Sequence, residues 1–152
     1  MTEAAATRSE ASGKVRVLFL CTHNSARSQM AEGLLRSLAG DRFEVTSAGT
    51  EATRVRPEAI SAMSEIGIDI SGQESKTLDR YLEDTFDYVV TVCDEANEAC
   101  PFFAGAKSRL HWSLPDPSRA NGTEEARLEA FQSVRDRLRD LIKVDLANGK
   151  GG

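Results

Sequence analysis

Short apolar runs alternate with helical patterns along this chain, and that alternation restricts its fold more than any other feature. Residues 15–20 (VRVLFL) and 86–92 (FDYVVTV) are nearly continuous apolar runs, as expected of strands covered on both faces. Between them lie segments in which apolar side chains recur at helical spacing. Strands that alternate with helices imply crossover connections, and hence a parallel sheet with helices on both sides.

The remaining patterns complete a single α/β domain. The predicted strands are residues 15–20, 43–48, 86–92 and 109–112, and the predicted helices are residues 28–38, 57–66, 77–82 and 121–146. We therefore predict a four-stranded parallel sheet flanked by helices over residues 14–147. The ends of the chain, residues 1–13 and 148–152, are predicted to be a disordered tail and a flexible tail. A chain of 152 residues can bury a sufficient core without disulfides or structural metal.

Charge and hydropathy exclude several classes of function. The 19 basic and 24 acidic residues give a net charge of −5 without any basic block, which argues against binding to nucleic acid or to a membrane surface. No apolar run approaches the ~18 residues of a membrane span, and residues 1–12 lack the apolar centre of a secretory signal. Three cysteines without an export signal indicate reduced thiols and a cytoplasmic location. We also expect a monomer.

The segment that follows the first strand carries a candidate anion site. Ligands of parallel sheets bind at the carboxyl ends of strands, where this chain reads CTHNSARS. Such a loop can turn its backbone N–H groups inward at a helix N-terminus, and the Arg27 guanidinium can hold two oxygens of an oxyanion. The same positive field favours a thiolate at Cys21. The predicted substrate-binding residues are Thr22, His23, Asn24, Ser25, Ala26, Arg27 and Ser28.

Side chains of this loop have competing interpretations. Asn24 and Ser28 are expected to hold the loop and the sulfur through hydrogen bonds. Cys21 could instead be a small apolar residue that only fills space, but a buried polar loop without a ligand would leave donors unpaired. His23 is interpreted as a solvent-facing residue rather than a catalytic base. Arg54 and Arg56 could steer anions towards the loop, but they are interpreted as solvated surface charges.

The sequence Cys21-x5-Arg27-Ser28 after a buried strand resembles the phosphate loop of the low-molecular-weight protein tyrosine phosphatase superfamily. The string CTHNSARSQMAEG, together with SAGTE at residues 47–51, resembles more closely the thioredoxin-coupled arsenate reductases of that superfamily. The likeness extends over residues 15–144. It implies the four-stranded fold and a strand order that places the strand before Cys93 next to the strand of Cys21.

Two further cysteines follow the strand at 86–92. Each could be a buried structural residue, and zinc is a second alternative. Six intervening residues and only two distant histidines fit no tetrahedral ligand set, so no metal is predicted. Residues 94–99 (DEANEA) favour a helix, which would separate Cys93 and Cys100 by roughly 10 Å, whereas a disulfide needs Cα atoms within ~7 Å. This segment must therefore unwind for the two sulfurs to join.

The resemblance implies a relay of three thiols. Cys21 attacks arsenate, Cys93 attacks the Cys21 sulfur and releases arsenite, and Cys100 attacks Cys93 to leave a Cys93–Cys100 disulfide. Thioredoxin is the implied reductant, with NADPH consumed through its own reductase and no cofactor bound to this chain. Arsenate is the implied substrate, and phosphate and sulfate are its mimics.

Asp116 precedes Pro117, and the superfamily places its general acid at such an Asp-Pro pair. The alternative is a turn without a catalytic role. Ser118 follows, where phosphatases of the superfamily usually carry an aromatic residue. A tyrosine or aryl phosphatase that uses Cys21, Arg27 and Asp116 remains an alternative function, and an oxyanion-binding or redox-sensing module is another.

Some members of the superfamily hold a monovalent cation beside the loop. Asn24 and Glu32 match two of its ligands, but Lys76 stands where an acidic ligand is expected. We expect the Lys76 ammonium to occupy the place of the cation.

Overall fold

Four parallel strands form one sheet in this computed structural model, which describes residues 13–94 and 100–147. The strands are β1 (Val15–Cys21), β2 (Phe43–Gly49), β3 (Phe86–Val92) and β4 (Ala106–Trp112), in the order β2-β1-β3-β4. The register pairs Cys21 with Gly49 on one side, and Leu20 with Thr91 on the other. The predicted α/β fold with a four-stranded parallel sheet is confirmed. Of the predicted tails at 1–13 and 148–152, all residues except Gly13 lie outside the described residues.

Within the described ranges, three α-helices cover the sheet, namely α1 (Arg27–Ala39), α2 (Pro57–Ser64) and α3 (Glu124–Ile142). The helix predicted from residue 121 begins later because the Thr123 hydroxyl caps it by accepting a bond from Ala126 N, and a π-helical turn (Lys143–Ala147) follows it. The segment predicted at 77–82 is a short 3₁₀ helix (Leu78–Tyr81). Of the helix predicted at 94–99, Asp94 is irregular and residues 95–99 lie outside the described part of the chain.

The side chains of β1 are buried on both faces, as its apolar run predicts. Val17, Phe19 and Cys21 join the larger core cluster, while Leu18 and Leu20 join a smaller one on the opposite face. Residues of one strand alternate between faces, so a continuous apolar run requires two separate layers of cover. The carboxyl end of β1 is therefore held firmly between its neighbours. Among the described residues, no helix is long and apolar enough to cross a bilayer.

Candidate active site

The loop between Cys21 and α1 is held from outside by its carbonyl groups. Thr22 O accepts a bond from Thr50 N at 2.9 Å, and Ser25 O accepts one from Arg56 N at 2.9 Å. The carbonyl of His23 likewise accepts from a neighbouring hydroxyl. In a trans peptide the N–H points opposite to the carbonyl, so the N–H groups that follow these three carbonyls point into the loop. That arrangement is an anion-binding concavity at a helix N-terminus.

Gly49 lets the end of β2 approach this loop closely. A Cβ at this position would lie 2.7 Å from Thr22 O, 2.8 Å from Cys21 O and 2.9 Å from Asn24 N. Backbone atoms at those distances cannot move aside without deforming the loop. A residue larger than glycine is therefore excluded here, which explains why the sequence SAGT has glycine at position 49.

Asn24 is the centre of the buried support under the loop. It is fully buried and has a left-handed backbone with φ of 49°, which asparagine tolerates better than most residues. Its Nδ2 donates to Ser28 Oγ at 2.8 Å and to Ser47 Oγ at 2.9 Å. Its Oδ1 accepts from Lys76 N at 2.7 Å and from Gln29 Nε2 at 2.9 Å. The amide orientation is thus determined by four partners.

The Cys21 sulfur ends this network. It is 2% exposed, and its Sγ lies 2.7 Å from Ser28 Oγ. Either atom can donate in this contact while Cys21 is a thiol, but when Cys21 is a thiolate the Ser28 hydroxyl must be the donor. A hydroxyl donor at this position stabilises a thiolate more than a thiol. The predicted roles of Asn24 and Ser28 agree with this geometry: their side chains bind the loop and the sulfur.

Arg27 and Asp116 come together beside the loop, although 89 positions separate them in the chain. The Arg27 side chain is almost completely buried; its Nη1 donates to Leu114 O at 3.1 Å, and its Nη2 lies 3.8 Å from Asp116 Oδ2. Asp116 Oδ1 accepts from the backbone N and the hydroxyl of Ser118, at 3.0 and 2.6 Å. The structure therefore brings a cation and a carboxyl group, both predicted as catalytic, to the same end of the sheet.

A cavity of about 280 Å³ opens at the edge of this site. His23 and Ser25 of the loop line it together with Ser118. Arg54 and Arg56 line it as well, and their positive charge at the mouth of the site favours the alternative that they steer anions towards the loop. The lining is completed by Thr53. His23 is partly exposed and lies 3.7 Å from Glu51, as a surface residue would.

Residues 16–148 match the family model described as low molecular weight phosphotyrosine protein phosphatase. The chain belongs to this family. The family membership that the loop sequence predicted is thereby confirmed.

Several members of the family that are similar to this chain carry the name arsenate reductase. The arsenate reductase of Halalkalibacterium halodurans is 48% identical over 134 residues, which cover 88% of this chain and 96% of that protein. A solved arsenate reductase in the phosphate binding state has a TM-score of 0.75 at 36% identity, covering 88% of this chain and 98% of that chain. A thioredoxin-dependent arsenate reductase of Corynebacterium glutamicum has a TM-score of 0.66 at 33% identity, covering 95% and 68%.

Cys93 and Cys100 form a disulfide, with Cα atoms 6.0 Å apart. Cys93 directly follows β3, the neighbour of β1, and is completely buried. Cys100 is partly exposed and lines a second cavity of about 300 Å³. Phe102 and His111 line the same cavity. Cys21 carries a free thiol. All three cysteines thus lie at or near the carboxyl edge of adjacent strands.

A second layer of buried polar residues lies beneath the loop and contains Glu32 and Lys76, the two residues noted in the sequence beside a possible cation site. Ser47 Oγ donates to Glu32 Oε1 at 2.6 Å, and Lys76 Nζ lies 3.9 Å from the same oxygen. Burial lowers the pKa of Lys76, while the carboxylates of Glu32 and Glu74 oppose that shift. The ammonium therefore lies beside Glu32 and close to the support of the loop. Ser47 within β2 and Gln29 at the start of α1 are the members of this layer that were not predicted from the sequence.

Proposed function

We propose that this protein reduces arsenate to arsenite, with Cys21 as the nucleophile and the Cys93–Cys100 pair as the source of electrons. One observation carries the proposal: an anion-binding loop with a buried thiol ends one strand, and a redox-active type of cysteine pair follows the adjacent strand. Similar proteins of the family are named arsenate reductases. A phosphatase needs the loop but has no use for the second pair.

The first step is attack on the bound oxyanion. The inward N–H groups of the loop and the Arg27 guanidinium bind the arsenate oxygens, which places arsenic near the Cys21 sulfur. The thiolate forms a sulfur–arsenic bond, and a hydroxyl group leaves arsenic with a proton from Asp116. Binding of oxyanions of this shape is supported by the related arsenate reductase solved in a phosphate binding state.

The second step transfers the electrons. The Cys93 thiolate attacks the Cys21 sulfur, and the electron pair of the sulfur–arsenic bond stays with arsenic, which leaves as arsenite. This forms a Cys21–Cys93 disulfide. Cys100 then attacks Cys93, which releases Cys21 and leaves the Cys93–Cys100 disulfide. The position of Cys93 after β3, beside β1, supports direct contact between the first two sulfurs.

The last step needs an external dithiol. Cys100 is the more exposed of the two bonded sulfurs and borders an open cavity, so it is the sulfur that a reductant reaches first. Thioredoxin is the proposed reductant, with NADPH consumed by its reductase, because the relative from Corynebacterium glutamicum is thioredoxin-dependent. No cofactor bound to this chain is required, and a cytoplasmic location would supply both partners.

The test is arsenate-dependent consumption of NADPH in the presence of thioredoxin and thioredoxin reductase. The parent protein should turn over, whereas Cys93→Ser and Cys100→Ser should both be inactive. An equally active Cys100→Ser protein would show that Cys93 is reduced directly and would end the three-thiol relay. No turnover by the parent, with intact hydrolysis of aryl phosphate by all three proteins, would assign the protein as a phosphatase.

A phosphatase activity is the second candidate, because Cys21, Arg27 and Asp116 form a site that does not depend on the distal pair. Slow hydrolysis of a small aryl phosphate should then persist in a Cys93→Ser/Cys100→Ser double variant and disappear in Cys21→Ser. Absence of any hydrolysis by the parent protein would exclude this activity.

A further inference from the structure

Three potential metal ligands meet beside β3 and β4. The sulfur atoms of Cys93 and Cys100 and one ring nitrogen of His111 all lie within 4.8 Å of one another. The absence of a zinc site was predicted partly because both histidines are distant in the sequence, and that reason is wrong for His111. The parallel register of β3 and β4 pairs Thr91 with His111, which brings the imidazole next to a cysteine two positions beyond Thr91.

We propose that the reduced Cys93 and Cys100 thiolates, together with His111, bind a thiophilic divalent cation of the Zn²⁺ type. Zinc binds thiolate sulfur at ~2.3 Å and imidazole nitrogen at ~2.0 Å, so the ligand atoms of a tetrahedral site lie roughly 3.5–4 Å apart. In the disulfide the two sulfurs are bonded and one imidazole nitrogen lies within 4.8 Å of both, so after reduction the sulfurs would have to separate to the spacing of metal ligands beside the imidazole. Water would complete the fourth position, as it does in open zinc sites with three protein ligands.

The surroundings of the three residues suit a metal site. His111 Nδ1 lies 2.7 Å from Thr91 Oγ1, which orients the ring in the way that partners of ligating histidines usually do. Cys93 is buried, Cys100 is partly exposed and His111 is exposed, so the site has both a dry side and an entry path. Thr91, Cys100 and His111 also line the same cavity of about 300 Å³.

The binding step involves no electron transfer. The disulfide must first be reduced by a dithiol, which leaves two thiols; Zn²⁺ then replaces their two protons. The bound cation would hold the two sulfurs close together, in an arrangement related to that of the disulfide. One consequence rests on the proposed function: Cys93 would be withheld from Cys21, so zinc would inhibit arsenate reduction. The site itself requires only the two thiols and the imidazole.

The test uses the full-length protein, reduced and freed of reductant without oxygen. Zinc affinity is measured by competition with a chromophoric chelator, and Cd²⁺ reports the number of thiolates through its ultraviolet charge-transfer absorption. The parent protein should bind one equivalent of Zn²⁺ with two thiolates per cation, and the disulfide form should bind none. His111→Ala should weaken the affinity at least tenfold, whereas His23→Ala, the variant of the other histidine, should leave it unchanged.

Cys21→Ser is the decisive control for the choice of thiols. Unchanged zinc affinity and absorption in this variant, with loss of both in Cys93→Ser and Cys100→Ser, would support the site. Three results would overturn it: no stoichiometric binding by the reduced parent, affinity unchanged in His111→Ala, or loss of binding in Cys21→Ser. None of these measurements uses arsenate, so failure of the reductase assay and failure of the metal site are separate results.

Discussion

The Cys21 loop and the region around Cys100 are held in contrasting ways. Beneath the loop, the buried side chains of Asn24, Ser28 and Ser47 are joined by hydrogen bonds of 2.8–2.9 Å. Beside Cys100, Phe102 is 71% exposed and is covered mainly by the Arg109 guanidinium, 4.5 Å from the ring centre. An oxyanion site depends on donors that are oriented before the substrate arrives. A disulfide that an external thiol must attack depends instead on access.

The largest effect is expected at the Cys21 loop, from Arg27→Lys. Lysine keeps the charge but loses the planar fork and the bond to Leu114 O, so kcat/KM for arsenate should fall roughly 10²–10³-fold. Arg56→Lys, at the mouth of the cavity, is the matched control and should change kcat/KM by less than about threefold. A loss below about threefold in Arg27→Lys would mean that charge, rather than bidentate geometry, governs binding.

Substitutions at the Cys21 loop should lower the free energy of unfolding more than substitutions in the region around Cys100. Asn24→Ala leaves four hydrogen-bonding groups without their partner and puts alanine in a left-handed backbone, so the free energy of unfolding should fall by about 2–4 kcal/mol. Cys100→Ser, measured against the parent with both proteins reduced, should change it by less than about 1 kcal/mol because Cys100 is partly exposed. Denaturant unfolding measures both, and the reverse order would contradict the comparison.

Replacement of Lys76 tests whether the attraction of its ammonium to Glu32 offsets the cost of burying the charge beneath the loop. Lys76→Met should change the free energy of unfolding at neutral pH by no more than about 1 kcal/mol, because the cost of burying the ammonium offsets its attraction to Glu32. Glu32 keeps Arg36 as a partner at 2.6 Å. Potassium should not affect arsenate turnover of the parent beyond the effect of sodium. A strong increase in the turnover of the parent with potassium would contradict the prediction that the Lys76 ammonium occupies the place of a bound cation.

The pH dependence of the same variant has a definite sign. The pKa of Lys76 is lowered below its ordinary value of 10.5, so between the lowered pKa and 10.5 the unfolded chain binds more protons than the folded one. The free energy of unfolding of the parent, relative to Lys76→Met, should therefore rise with pH in that window and fall as the pH drops through the lowered pKa. Urea titrations at several alkaline pH values measure this difference, and a falling difference would mean that the folded protein favours the charged lysine.

The smallest effect is expected in the region around Cys100. Phe102→Ala should raise the KM for thioredoxin about two- to fivefold, because an exposed ring next to the attacked disulfide offers contact area to a reductant. Release of arsenite in a single turnover without thioredoxin should be unchanged. Leu82→Ala, an exposed apolar residue that does not line this cavity, is the matched control. An unchanged KM in Phe102→Ala would place the docking surface elsewhere.

Much of the fold follows from local patterns in the sequence. The apolar run of β1 predicts a strand covered on both faces, and the polar loop after it predicts the anion site, because both depend on neighbouring residues. The ends of elements were less predictable. The strand predicted at 109–112 begins at Ala106 in the structure, because pairing with the apolar β3 outweighs the polar character of Lys107 and Ser108.

The sequence by itself predicted the candidate nucleophile Cys21, the arginine that accompanies it and the three-cysteine pattern, since each is expressed in short spacings. Only the tertiary structure decided which distant residues complete these sites. Ser47 and Lys76 reach Asn24 and Glu32 because β2 and the segment before β3 pack against the loop. His111 reaches the cysteine pair through the register of β3 with β4. Strand register and packing arise from contacts between residues far apart in the chain, which no local spacing records.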